Sequence, residues 1–208
     1  MIVTLAPAYN LSFTAAALRP DLAGILARTY QDTKDWDLCR EQILSTNALQ
    51  CRTASSAIRL ERELRQRLQH LTSNQIQVLA AGTYEERSAL AWLAVVKHSE
   101  FVRDFAMDRL RSKMEVHDLI LHASDYETFI EQNAGRHPEL ASLSPSSAKK
   151  IRQVLLTMLR QASLLDKGPE LGRIIRPLLP SSVHGAILAD DPRWLAAFLY
   201  PDSDIPTR

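Results

Sequence analysis

Six glycines in 208 residues leave this chain few places to turn sharply. Sandwiches and barrels need a turn roughly every 8–12 residues, so an all-β architecture is disfavoured. The residues that fill the space are Leu, Ala, Arg and Glu, all good helix formers. Apolar residues make up 46% of the chain, enough to build a core, which argues against global disorder. The expected fold class is all-α.

Apolar spacing places the helices. Pro7 and Pro20 mark an irregular start. Leu22, Ile25, Leu26 and Tyr30 then predict a helix over 21–29 or slightly longer. Gln31-Asp32-Thr33 breaks it, and a second helix is expected over 34–45. The third, over 53–71, is the cleanest of the front half. Its Ala57, Leu60, Leu64, Leu68 and Leu71 fall within an arc of about 80°, and Thr53 or Ser55 supplies an N-cap. Thr72-Ser73 caps a short helix over 73–81, ended by Gly82. Thr83 with Glu86 reads as a capping box, which opens a long helix over 84–111 expected at the centre of the core. Helices over 115–121 and 124–133 follow, then a short one from His137-Pro138 to about Ser142. Ser144-Pro145-Ser146 starts a helix that runs to about 162. The last helix is expected over 190–200.

Twice, at 34–71 and at 124–162, a helix and a turn lead into a basic amphipathic helix. The reading is therefore a helical bundle with two helix-turn-helix-like elements. A short hairpin over 171–177 would make the second one winged. The expected division is an N-terminal element over 1–82 and a helical region over 83–208, with one continuous core as the alternative.

The net charge is only +1, but it is unevenly spread. Residues 73–144 hold seven basic and eleven acidic residues, whereas 145–176 hold seven and two. A duplex offers a line of phosphates and a groove wide enough for one helix, so cations one helical turn apart on one face suit it. In the front helix Arg52, Ser55, Arg59 and Arg62 meet that requirement, with Glu61 and Glu63 diluting the charge. In the rear segment Ser146, Lys149, Lys150, Gln153 and Arg160 lie on the helix, and Lys167 and Arg173 follow it in the turn and possible wing, with fewer acids nearby. The plain alternative for both is a solvated charged face.

Signals for catalysis are poor. His117 and His122 stand five apart, not the four that puts two ligands on one helical face. His98 has no metal-ligand partner at spacing. There is no phosphate loop, nucleophile elbow, dinucleotide fingerprint or paired-cysteine motif. Neither a cofactor nor a metal is expected. Cys39 and Cys51 read as free thiols of a reducing compartment. Trp36, Trp92 and Trp194 read as core anchors. The longest apolar run, Ala89–Val96, is far short of a membrane span, and no secretory signal opens the chain. The expected location is the cytoplasm.

The run Arg59-Leu-Glu-Arg-Glu-Leu-Arg-Gln-Arg-Leu68 is followed by Leu71-Thr72, Ala91-Trp-Leu-Ala94 and Phe101-Val-Arg-Asp-Phe105. Later come His137-Pro-Glu-Leu140, Leu143-Ser144, Lys149-Lys-Ile151, Met158-Leu159 and Leu164-Leu165. In this order and spacing, over residues 20–200, they resemble the BrxA family of bacteriophage-exclusion (BREX) defence systems. The resemblance implies an all-helical, DNA-binding, non-enzymatic component of a multi-protein antiphage system. It carries over no catalytic residue, and the DNA-facing residues above come from helical faces alone. The expected partners are double-stranded DNA and other defence-system proteins, with no membrane. A protein-interaction adaptor using the acidic middle is the alternative. A metal-dependent nuclease lacks the carboxylate cluster it would need. Oligomeric state and DNA sequence preference are left open.

Overall fold

The computed structural model describes residues 8–207, so the reading of Pro7 lies outside the described residues. A 3-10 turn, Ser12–Ala15, precedes α1 (Pro20–Thr33), α2 (Trp36–Ser45), α3 (Ala54–Leu68), α4 (Ser73–Ala81) and α5 (Tyr84–His98). Then come α6 (Glu100–Phe105), a π-helical turn (Ala106–Arg111) and α7 (Ser112–Glu115). The strand β1 (Ile120–Leu121) leads to α8 (Ala123–Ala134), α9 (Pro138–Ala141) and α10 (Pro145–Gln161). β2 (Leu165–Asp166), β3 (Gly172–Ile174), α11 (Ser181–Asp190) and the 3-10 segment Pro192–Phe198 complete the main elements. The protein is predominantly helical, as composition and periodicity predict.

The helix starts follow local chemistry. The Asp35 carboxylate accepts from the Asp37 and Leu38 amides at 2.7 and 3.0 Å, which caps α2. Capping boxes form at Thr72 with Gln75 and at Thr83 with Glu86, so orphan amides at the starts of α4 and α5 find partners.

The helix expected over 84–111 is not continuous. It breaks at Ser99, whose backbone is extended (φ −117°, ψ 109°) and whose hydroxyl donates to the Asn10 carbonyl at 3.4 Å. The apolar spacing runs on through Phe101 and Phe105, so periodicity alone does not reveal the break. A further correction concerns 115–121. Helix α7 stops at Glu115, and Ile120–Leu121 form a strand because β3 is there to pair with them. Lys113, nearly buried, holds this junction by reaching Asp118 at 2.6 Å and Asp125 at 2.9 Å. The front basic helix also ends at Leu68, short of the expected 71.

The sheet is antiparallel with order β1-β3-β2. Leu165 faces Ile174 and Asp166 faces Arg173; on the other edge Ile120 faces Arg173. The hairpin therefore spans 165–174, earlier than the expected 171–177. Gly172 is required there. Its φ is +139°, and a Cβ would lie 2.5 Å from the Asp166 carbonyl oxygen.

Helix α5 is the centre of the core, and residues 88–96 are all buried. A helix that is apolar all round needs neighbours on every side, and α1, α3, α4, α6 and α11 supply them. Trp92 is fully buried and donates from Nε1 to the Ala197 carbonyl at 3.0 Å. Trp36 and Trp194 are only half-buried; they pack against the core, with Trp36 stacked on Tyr30 at 3.9 Å. Buried apolar side chains from Tyr9 to Leu199 form one contiguous cluster.

Candidate nucleic-acid interface

Helix α10 buries Ile151, Val154, Leu155, Leu156, Met158 and Leu159. The opposite side is what remains. Ser146, Lys149, Lys150, Gln153, Thr157 and Arg160 fall within an arc of about 100° at 100° per residue, and all six are exposed. No carboxylate lies in that arc. The Ser144 hydroxyl accepts from the Ser147 amide at 3.2 Å and fixes where the helix begins. Arg152 is half-buried at the flank, with its guanidinium 5.9 Å from the Tyr126 ring centre. Burial pushes the Tyr126 phenol up to about 12, and Arg152 opposes that rise.

The hairpin stands beside this helix. Arg160 donates from Nη2 to the Leu171 carbonyl at 2.8 Å, so it ties α10 to the hairpin turn while remaining exposed. Lys167 and Arg173 are exposed on the turn and on β3. Asp166 and Glu170 are also exposed on the hairpin, so its charge is mixed.

Helix α3 and the residues that flank it carry the other predicted residues. Arg52, Ser55, Arg59 and Arg62 are exposed, together with Gln66 and Gln69. The acids expected to dilute this surface point inward. Glu61 is fully buried and pairs with Arg65 at 2.6 Å, with Arg40 farther off at 3.7 Å. Glu63 is also buried and pairs with Arg67. This corrects the charge reading of the helix: its exposed stripe has no acid. The i, i+4 spacing of each Glu–Arg pair is visible in the sequence, but the burial is not. Among the described residues, Arg52, Arg59, Arg62, Lys149, Lys150, Lys167 and Arg173 are in no ion pair.

Among the described residues no group of three or more His, Cys, Asp or Glu side chains could hold a metal ion. His117 and His122 are exposed, and the latter stands at the N-cap of α8. Among the described residues no helix is long and apolar enough to cross a membrane.

A sequence-family model described as BrxA matches residues 7–191. The BREX protein BrxA of Escherichia coli O9:H4 (strain HS) is 30% identical over 141 residues, which are 68% of this chain and 65% of that relative. The match thus spans just under two thirds of that relative's length. The BREX protein BrxA of Bacillus cereus (strain H3081.97) is 24% identical over 140 residues, 67% of this chain and 70% of the relative. A crystal structure of an uncharacterized protein from Magnetospirillum magneticum has the same fold, with a TM-score of 0.78 at 18% identity. The match covers 93% of this chain and 98% of that one.

Proposed function

The chain belongs to the BrxA family, and on that premise we propose that it is a non-catalytic, DNA-binding component of a multi-protein antiphage (BREX) defence system in the cytoplasm. It holds duplex DNA through basic helices, mainly by contacts to phosphates. The observation that carries this reading is the exposed arc of α10, where Lys149, Lys150 and Arg160 share one face with Ser146, Gln153 and Thr157 and with no acid. Lysine, arginine and hydroxyl side chains are the usual donors to phosphate oxygens. The order β1, α8, α9, α10, β2, β3, with β3 between the other two strands, supports reading this part as a winged helix-turn-helix. In that arrangement α10 enters the groove and the 167–171 turn contacts the backbone.

An adaptor role within the defence complex has one observation in its favour. Leu178 is 96% exposed and Tyr84 50% exposed, and the two line one surface groove with Pro177 and Leu179. Co-purification with and without nuclease separates the two. Nucleic acid that accompanies the protein and disappears with nuclease supports the DNA reading. Protein partners retained through nuclease and high salt, with no nucleic acid, support the adaptor.

A further inference from the structure

Helix α2 offers more apolar surface than the core takes. Of its Trp36, Leu38, Cys39, Ile43 and Leu44, only Cys39 and Ile43 are buried. Leu38 is 54% exposed and Leu44 half-buried. At 100° per residue these two leucines share an outward arc of about 120° with Asp37, Glu41 and Ser45. A shallow hollow lined by Asp37, Arg40, Glu41, Leu44 and Ser45 runs along that arc. At the start of the same helix Trp36 stacks on Tyr30 of α1, with ring centres 3.9 Å apart and 18° between the planes. A single exposed leucine needs no explanation, but an aromatic pair and two leucines at one corner form a patch. Tryptophan and tyrosine are also the residues most often found at the energetic centre of protein interfaces.

The charge around the patch is acidic and unpaired. Asp32, Asp37 and Glu41 are exposed and, among the described residues, in no ion pair. The local cations are turned elsewhere: Lys34 donates to the Gln31 side chain, and Arg40 leans toward the buried Glu61 at 3.7 Å. Among the described residues no Lys or Arg stands over the Tyr30 or Trp36 ring, whereas Trp194, Tyr126 and Tyr200 each have one. Phosphates would be repelled here, so the surface does not suit nucleic acid. A purely apolar partner would strand the carboxylates away from water, and a purely cationic one would leave the leucines uncovered.

We infer that this corner of α1 and α2 docks a basic amphipathic segment of another protein. Its apolar side chains cover Leu38 and Leu44, and its lysines or arginines meet Asp32, Asp37 and Glu41. An arginine of that segment can also stack on the open aromatic pair. The inference is independent of the DNA-binding reading. The test places a photoreactive benzoylphenylalanine at Leu38 of the full chain, in cells carrying the whole defence system, and maps the cross-linked segment by mass spectrometry. The expected product joins Leu38's position to a segment of another protein that mixes Lys or Arg with apolar residues. Made as a synthetic peptide, that segment should bind the purified wild-type chain, and Asp32→Lys with Glu41→Lys should weaken it roughly tenfold or more. Both acids are exposed and in no ion pair, so circular dichroism should stay unchanged. Lys149→Ala with Lys150→Ala should leave the peptide affinity as it is. A cross-link to a second copy of this chain, to nucleic acid or to a segment without basic residues overturns the inference, as does no cross-link at all. So does a peptide affinity that the two acid reversals leave unchanged.

Discussion

Arg67 and Glu63 meet one turn apart on α3 at 2.8 Å, with 2% and 5% of their side chains exposed. Burial pulls the Arg67 guanidinium below its ordinary range, and Glu63 opposes that pull. The remaining donors of Arg67 satisfy three carbonyls between residues 13 and 17. Removing one member of such a pair strands the other charge without water. Arg67→Ala should therefore cost about 3–5 kcal/mol. Replacing both members with apolar residues, Glu63→Val with Arg67→Met, should cost less than the single change, because no charge is stranded. Urea unfolding of the three proteins checks the order.

The hairpin depends on Gly172. At φ +139° any side chain is strained, and a Cβ there would press on the Asp166 carbonyl. Gly172→Ala should destabilise by at least about 1–3 kcal/mol from backbone strain alone. Amide exchange should speed up first at β2 and β3, where the clash lies, and later in α5. Uniform exchange across the chain would mean that the hairpin is not the weak point.

The two thiols should react at very different rates. Cys39 is fully buried, and burial, helped by the nearby Glu61 charge, pushes its pKa up to about 11. Cys51 is half-buried. The thiolate is the reactive form, so a thiol reagent at pH 8 should modify Cys51 in the folded protein and Cys39 only on unfolding. Mass mapping after brief iodoacetamide treatment reads this directly.

His70 and His98 face each other with ring nitrogens 3.1 Å apart. Burial holds both below the ordinary histidine value; Lys97 adds to this at His70, and His70 and Arg67 add to it at His98. A base with a lowered folded-state pKa binds more protons when unfolded, so stability rises with pH across that range. Its contribution is complete above about pH 6.5 and is lost as pH falls below that. Between pH 7.5 and 5.5 the wild-type Tm should drop. His70→Gln with His98→Gln should show a shallower drop, and an equal slope in the two proteins would remove the pair from the account.

Much of this architecture is legible in the sequence because helices are local. Apolar spacing and cap residues place α4 at its observed limits, 73–81, and α10 to within one residue. What fails is what depends on distant partners. Ile120 and Leu121 are apolar residues that fit a helix until β3 arrives to pair with them. Glu63 looks solvated until the 13–17 segment covers its partner Arg67, and Glu61 until the fold brings Arg40 of α2 beside it. Ser99 breaks a helix whose apolar period carries on unchanged. The candidate surface was more readable, since a one-sided polar stripe is a property of the helix alone. That Arg160 also fastens α10 to the hairpin was not readable, because it requires the fold.

The salt dependence of duplex binding tests the central claim most directly. Counterion release makes the logarithm of affinity fall linearly with the logarithm of salt, with a slope of about −0.9 for each phosphate neutralised. Anisotropy with a labelled duplex of about 20 base pairs, from about 50 to 200 mM salt, measures that slope. The account predicts a steep fall for the wild type, with the slope reduced by about 2 in the Lys149→Ala, Lys150→Ala variant. A slope near zero, or one that this variant leaves unchanged, would contradict the placement of DNA on α10.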